Sequence, residues 1–319
     1  MNRRDFIKQT SQAAAATAII GGGVLFLGNR RGDDDNGQNS LNLKNYQVEP
    51  LSDKPALAAV TGNDWRKTTA AAIAAIGGIE HFIAKGDKVC IKPNIGWDRT
   101  PELGANTHPE VVTEIIDLCL KAGASKVIVV DVTCNSARRT YNRSGIKDAA
   151  EKAGAEVLME NESLFAEVDF GLDSLGKWQV LKPILECDKL INVPVVKHHS
   201  LSGMTAAMKN WFGAVTGPRN RLHQGIDDNI AELGRLFQPT LTIEDATRVL
   251  QRNGPTGGRI DDVITYNAVI ASTDQVAADS YVTRYLSKKP GDFDFIANAE
   301  QLGVGISKPA DNKIAEIEV

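Results

Sequence analysis

Residues 126–130 read Lys-Val-Ile-Val-Val, and polarity returns at once with Asp131, Thr133, Asn135 and Ser136. A short apolar run without alternation fits a strand covered on both faces, as in a parallel sheet. The pattern recurs along the chain. Residues 88–91 lead into Lys92-Pro93-Asn94, residues 189–194 into Lys197-His198-His199, and residues 241–244 into Asp245. Helix-spaced stretches separate these runs at about 67–83, 107–123, 141–153, 228–237, 274–286 and 293–302. Thr107, with Glu110 three residues on, reads as the cap of the second stretch. The alternation predicts an α/β fold: a mainly parallel sheet flanked by helices, with Rossmann-like layering and right-handed crossovers. In such a sheet ligands bind where strands end at their C-termini.

The densest cluster of chemistry-bearing residues follows one of these runs. Residues 197–223 hold three of the five histidines, together with Lys197, Lys209, Arg219 and Arg221. A short helical segment is expected over 204–212, carrying Lys209 and Asn210, and then a Gly/Pro-punctuated loop. The cationic bias is local: the whole chain of 319 residues has a formal charge of −4 and only 6% aromatics. That balance argues against nucleic acid as a partner and for a small anionic ligand.

The strand-end reading brings Lys92, Asn94, Asp131, Lys197, His199 and Asp245 to one sheet edge, with His108, Lys209, Asn210 and His223 able to join them. Lys92, Asn94, His108, Lys209 and Asn210 are the candidate substrate-binding groups, since ammonium and amide groups suit a carboxylate or phosphate. His199, Asp131 and Lys197 are the candidate catalytic groups. Asp131, His199 and Asp245 are candidate ligands for a divalent metal. Adjacent His198 and His199 cannot face the same way on an extended segment, so one of them packs or bonds to backbone. There is no Walker loop, no dinucleotide-binding glycine fingerprint and no nucleophile elbow. Cys90, Cys119, Cys134 and Cys187 form no CxxC pair, so no iron–sulfur cluster is expected. They read as buried thiols, or, in an exported protein, Cys90 and Cys134 as a disulfide.

The first residues have an export layout. Asn2-Arg3-Arg4-Asp5-Phe6-Ile7-Lys8 precedes a weakly hydrophobic Ala/Gly-rich stretch at 13–27. This resembles a twin-arginine signal over residues 1–28, cleaved or kept as a weak anchor, and implies the twin-arginine machinery as a partner and a periplasmic location. The membrane is touched only through that segment, if uncleaved. Residues 29–53 are polar and acidic and read as a disordered tether, which leaves 54–319 as the folded domain.

Taken in order, KPNIGW at 92–97, THPEVV at 107–112, VVDVT at 129–133, INVPVVKHH at 191–199 and MKNWFG at 208–213 resemble the family called domain of unknown function 362. The likeness continues through IED at 243–245, GP at 254–255 and residues 274–279, and covers about 55–305. Many members carry ferredoxin-type cysteine motifs that this chain lacks. The family supplies no reaction, so the resemblance assigns no catalytic roles. The expectation is an exported enzyme acting on a small anionic substrate, with metal assistance. The alternative is a non-catalytic periplasmic ligand binder or a cofactor-maturation accessory protein.

Overall fold

The structure is a computed structural model, and it describes residues 43–172, 174–310 and 313–319. The twin-arginine stretch, the apolar segment and most of the tether lie outside the described residues. The last part of the expected tether does not behave as one. Tyr46 is buried, its hydroxyl donates to the Ile184 carbonyl, and Asn45 bridges to Gln238. The domain therefore begins before residue 54: Leu43 and Val48 also pack against the cores, and Tyr46 N donates to the Gln238 carbonyl.

The chain enters the sheet at β1 (Leu57–Thr61) and returns through the helix Trp65–Ala75 to β2 (Lys88–Pro93). The helix Pro109–Lys121 leads to β3 (Lys126–Val130), and two short helices lead to β4 (Glu156–Leu158). β5 (Phe165–Asp169) and β6 (Lys177–Leu181) form a side sheet. β7 (Lys189–Val193) runs almost directly into β8 (Val195–His199), which turns back through β9 (Gly203–Thr205). A 3-10 helix, Met208–Ala214, precedes β10 (Val215–Thr216), which joins the side sheet. A second 3-10 turn, Arg219–His223, and the helix Ile226–Leu236 follow. Then come β11 (Leu241–Leu250), β12 (Val263–Ser272), the helix Gln275–Val282, the helix Asp294–Gln301 and β13 (Ile314–Glu318).

The main sheet has the order β13-β1-β12-β11-β7-β2-β3-β4, with β8 beside β11 and β9 beside β8. The pairs β2–β3, β2–β7, β3–β4, β11–β7 and β1–β13 are parallel, while β12 runs antiparallel to both of its neighbours. The mainly parallel α/β sheet expected from the apolar runs is thus the fold. Alternate strand residues serve two cores. Val89, Ile91, Val127 and Val129 pack under one helical layer, while Cys90, Val130 and Leu190 pack under the other. Double coverage removes the need for polar alternation, which is why these strands read as continuous apolar runs.

Two local readings change. Thr107 does not cap the helix Pro109–Lys121. Its hydroxyl donates to the Val193 carbonyl at 2.7 Å, and the His108 ring accepts from Glu110 N instead. Residues 197–199, expected to follow the strand 189–194 directly, belong to a separate strand, β8, which pairs with β9. All four cysteines are free. Cys134 is exposed, whereas Cys90 is buried, so the expected Cys90–Cys134 bridge is not formed.

Candidate functional site

The floor of the site lies at the C-terminal ends of β2 and β3. The Lys92 ammonium sits 2.6 Å from Asp131 Oδ1, and both side chains are buried. Asp131 Oδ2 accepts from Ile95 N at 2.6 Å, and Lys92 also donates to the Pro93 carbonyl. Burial pushes the Asp131 carboxyl up and the Lys92 ammonium down, and each charge opposes the shift of the other. Gly213 closes over this pair. A Cβ at that position would stand 2.2 Å from Asp131 Oδ1 and 2.9 Å from Lys92 Nζ, so only glycine allows the approach.

Above the floor runs a chain of amides. Lys197 Nζ donates to Asn94 Oδ1 at 3.1 Å and to the Ala105 carbonyl. Asn94 donates to Asn210 Oδ1 at 2.9 Å, Asn210 to Asn192 Oδ1 at 2.8 Å, and Asn192 to the Ala207 carbonyl at 2.9 Å. The 3-10 helix Met208–Ala214 is thereby stitched to β2 and β7. Its start is held from below by Asp279, which accepts from Ala207 N and Met208 N.

These elements enclose a cavity of about 390 Å³. Lys197, Lys209 and Arg219 bring cationic groups to it, and His199, His223 and Asn94 line it as well. Lys209 is 6% exposed and makes no hydrogen bond or ion pair among the described residues; its ammonium lies 3.3 Å from the centre of the Phe212 ring. Burial holds both Lys197 and Lys209 down to about 7, and for Lys209 the neighbouring cations Lys197, Arg219 and Lys92 add to the depression. Asp131 is the only carboxylate among the described residues of the lining, and Lys92 already neutralises it.

His199 is held by its backbone. Nδ1 accepts from Leu201 N at 3.1 Å and from Ser202 N at 3.3 Å. Burial, followed by the charges of Lys209 and Lys197, pushes it down to about 3. His198 faces the other way and accepts from Gly254 N at 3.1 Å, as the opposition of adjacent side chains on a strand requires. Gly254 has to be glycine there, since a Cβ would stand 1.8 Å from the His198 carbonyl oxygen.

Of the expected site residues, Asn94, Asp131, Lys197, His199, Lys209 and Asn210 line one cavity, and Lys92 lies directly beneath it. His108 and Asp245 do not line it. Asp245 Oδ2 accepts from His108 N at 2.6 Å, and its Oδ1 accepts from Thr247 N and Oγ1. The His108 ring stands edge-on to Trp65, and burial, with Arg248 nearby, lowers it to about 4. Asp131, His199 and Asp245 are therefore not gathered as metal ligands, and no group of three such side chains able to hold a metal occurs among the described residues. The reason is register: Asp245 is the fifth residue of the ten-residue β11, not its end. Arg219, His223 and Phe212 join the site. Arg219 and His223 are visible in sequence as part of the cationic loop, whereas Phe212 and the buried Asn192 carry no signal of their own.

The chain is 27% identical over 237 residues to a thylakoid-associated protein of Synechocystis sp., an alignment that covers 72% of each chain. Among solved structures it is similar to a Thermotoga maritima protein, with a TM-score of 0.39 and 10% identity over 80% of this chain. It is also similar to the lactate racemase apoprotein of Thermoanaerobacterium thermosaccharolyticum, with a TM-score of 0.39 and 12% identity over 75% of this chain. The chain spans about 60% of the length of each of these two structures. The profile of one family matches residues 89–284, which include every residue that lines the cavity, and the chain belongs to that family, the domain of unknown function DUF362.

Proposed function

We propose that the cavity binds a small anion and that the protein is an enzyme acting on it. One observation carries this reading. Three cationic groups face a single cavity, and the one carboxylate among its described lining residues is already neutralised from below. Two buried ammonium groups without a counter-charge repel each other and lose hydration, a cost that an anion offsets. Asn94 and Asn210 hold one lysine and the helix of the other, so the cations are placed before the ligand arrives. Isothermal titration of the full chain with inorganic phosphate should show saturable one-to-one binding. Lys209→Met should weaken it by at least about tenfold. No binding of phosphate, sulfate or simple carboxylates would overturn the reading.

The second reading is a non-catalytic ligand binder, and the observation on its side is the absence of a free carboxylate among the described lining residues. Turnover of a bound ligand, followed by mass spectrometry, separates the two. The same proposal places the protein outside the cytoplasm on the strength of Arg3, Arg4 and the apolar stretch behind them. Continued export of the Arg3→Lys/Arg4→Lys variant would remove that part. No helix among the described residues is long and apolar enough to cross a membrane.

A further inference from the structure

His199 and His223 face the same cavity with nearly parallel rings, 6.4 Å between centroids and 17° between planes. Their hydrogen bonds fix them in opposite tautomers. His199 Nδ1 lies 3.1 Å from Leu201 N and 3.3 Å from Ser202 N. A backbone N–H only donates, so Nδ1 carries the lone pair and a neutral ring has its proton on Nε2. His223 Nδ1 lies 3.1 Å from the Arg219 carbonyl oxygen, which only accepts. There Nδ1 carries the proton, and the neutral ring leaves its lone pair on Nε2. Neither Nε2 has a hydrogen-bond partner among the described residues. Burial and the nearby lysine charge lower both rings, which keeps them neutral at ordinary pH.

The cavity thus offers a ligand several cations, one neutral imidazole donor and one imidazole acceptor. Cations and donors suit any anion. An acceptor does not: facing a fully ionised oxygen, it sets lone pair against lone pair and leaves both without a hydrogen. We propose that this site takes an oxyanion that keeps a proton at neutral pH, as hydrogen phosphate does and sulfate does not, and that His223 is the residue that reads that proton. The inference rests on the anion-site reading above and narrows its ligand. A site built to hydrogen-bond a ligand proton discriminates strongly against an otherwise similar ligand lacking it, because its own polar group is left unpaired. Sulfate is the matched control, with the same shape and charge as hydrogen phosphate.

The experiment is a pair of titrations of the full chain, with inorganic phosphate and with sulfate, at a pH slightly above neutral and equal ionic strength. Phosphate should bind at least about tenfold more tightly, the effect of one unpaired acceptor at a half-buried position. His223→Phe should bring the ratio close to one by weakening phosphate while sparing sulfate. His199→Phe should weaken both alike. Equal binding of the two anions by the unaltered chain overturns the role of His223 but leaves the anion site standing. Binding of neither, nor of simple carboxylates, removes the anion site itself. Long-range proton–nitrogen correlation spectra of the unaltered chain give a test that does not depend on a variant folding. They should show Nδ1 of His199 and Nε2 of His223 without protons, and a protonated Nε2 on His223 would overturn the proposal.

Discussion

Lys92 and Lys209 are both withdrawn from water in the same site, and they are compensated in opposite ways. Lys92 is fully buried and has Asp131 at 2.6 Å and the Pro93 carbonyl at 3.0 Å. Lys209 is nearly as buried and, among the described residues, has only the face of Phe212. A buried charge with its partner in place belongs to the architecture. On the anion-site reading proposed above, a buried charge without one is held for a ligand. The difference separates structural from ligand-facing cations within a few residues of the same floor.

The sharpest way to break the comparison is to remove the compensated lysine. Lys92→Met strands Asp131 as a buried carboxylate, and removing one partner of a buried pair costs about 3–5 kcal/mol. Urea unfolding should show this loss. Lys209→Met should leave stability unchanged or raise it by about 1–2 kcal/mol, because it deletes an uncompensated charge. Similar losses in both variants would erase the distinction between the two lysines.

Gly213→Ala attacks the pair from above. The added methyl group meets Asp131 Oδ1 and Lys92 Nζ inside contact distance, and the neighbours on that side are held by β2 and β3. Overpacking of this kind costs about 1–3 kcal/mol. Thermal melts of the variant should fall between those of Lys92→Met and the unaltered chain.

The uncompensated side predicts a pH dependence with a definite sign. Lys197 and Lys209 titrate at about 7 in the free protein, held down chiefly by burial. A bound anion raises both, so binding takes up protons and is strongest below that value. Affinity for sulfate, whose own charge is constant over the range, should fall by about tenfold or more as pH rises from about 6 to about 9. Calorimetry at several pH values checks it, and a flat profile would mean that neither lysine meets the anion.

Much of this arrangement is legible in the sequence, for physical reasons. β2, β3 and β7 are buried on both faces, so they stand out as apolar runs, and the polar residues at their ends announce the site edge. β8 escapes the same reading because Lys197 and His199 face the cavity while His198 faces the glycine-rich turn, so its pattern does not read as a separate strand. β5 (Phe165–Asp169) is a half-exposed strand in a small sheet, too short for its alternation to register. Asp245 looks like a strand end only because Asp follows four core residues, whereas β11 continues to Leu250. Asn192 is hidden within an apolar run, and its amide contacts are set by tertiary packing alone.

A second pair of buried groups lies beneath the 3-10 helix, and here the smallest effect is expected. Glu244 on β11 is fully buried, with its carboxyl beside Asp279 and close to Ala207 N. Asp279 is also fully buried, but its oxygens accept from Ala207 N and Met208 N. Two adjacent buried carboxyls cannot both be ionised, so one proton is retained between them. Burial pushes Asp279 up to about 7 and Glu244 well above its ordinary value, with Asp279 adding to the rise of Glu244. The backbone donors favour charge on Asp279, which places the proton on Glu244 and lets Glu244 donate to its neighbour. Glu244→Gln keeps the shape and the donor and removes only the titration, so at about pH 4, where the unfolded chain also keeps this proton, stability should change by less than about 1 kcal/mol. The sign of the pH effect is fixed. The folded chain holds a proton that the unfolded chain releases above the ordinary carboxylate range, so this contribution is full at low pH and declines as pH rises. The Gln variant lacks that decline, and its melting temperature should gain on that of the unaltered chain between about pH 5 and about pH 9. A loss of several kcal/mol near neutral pH instead would mean that Glu244 is ionised, and that the helix carrying Lys209 rests on a charged pair rather than on a shared proton.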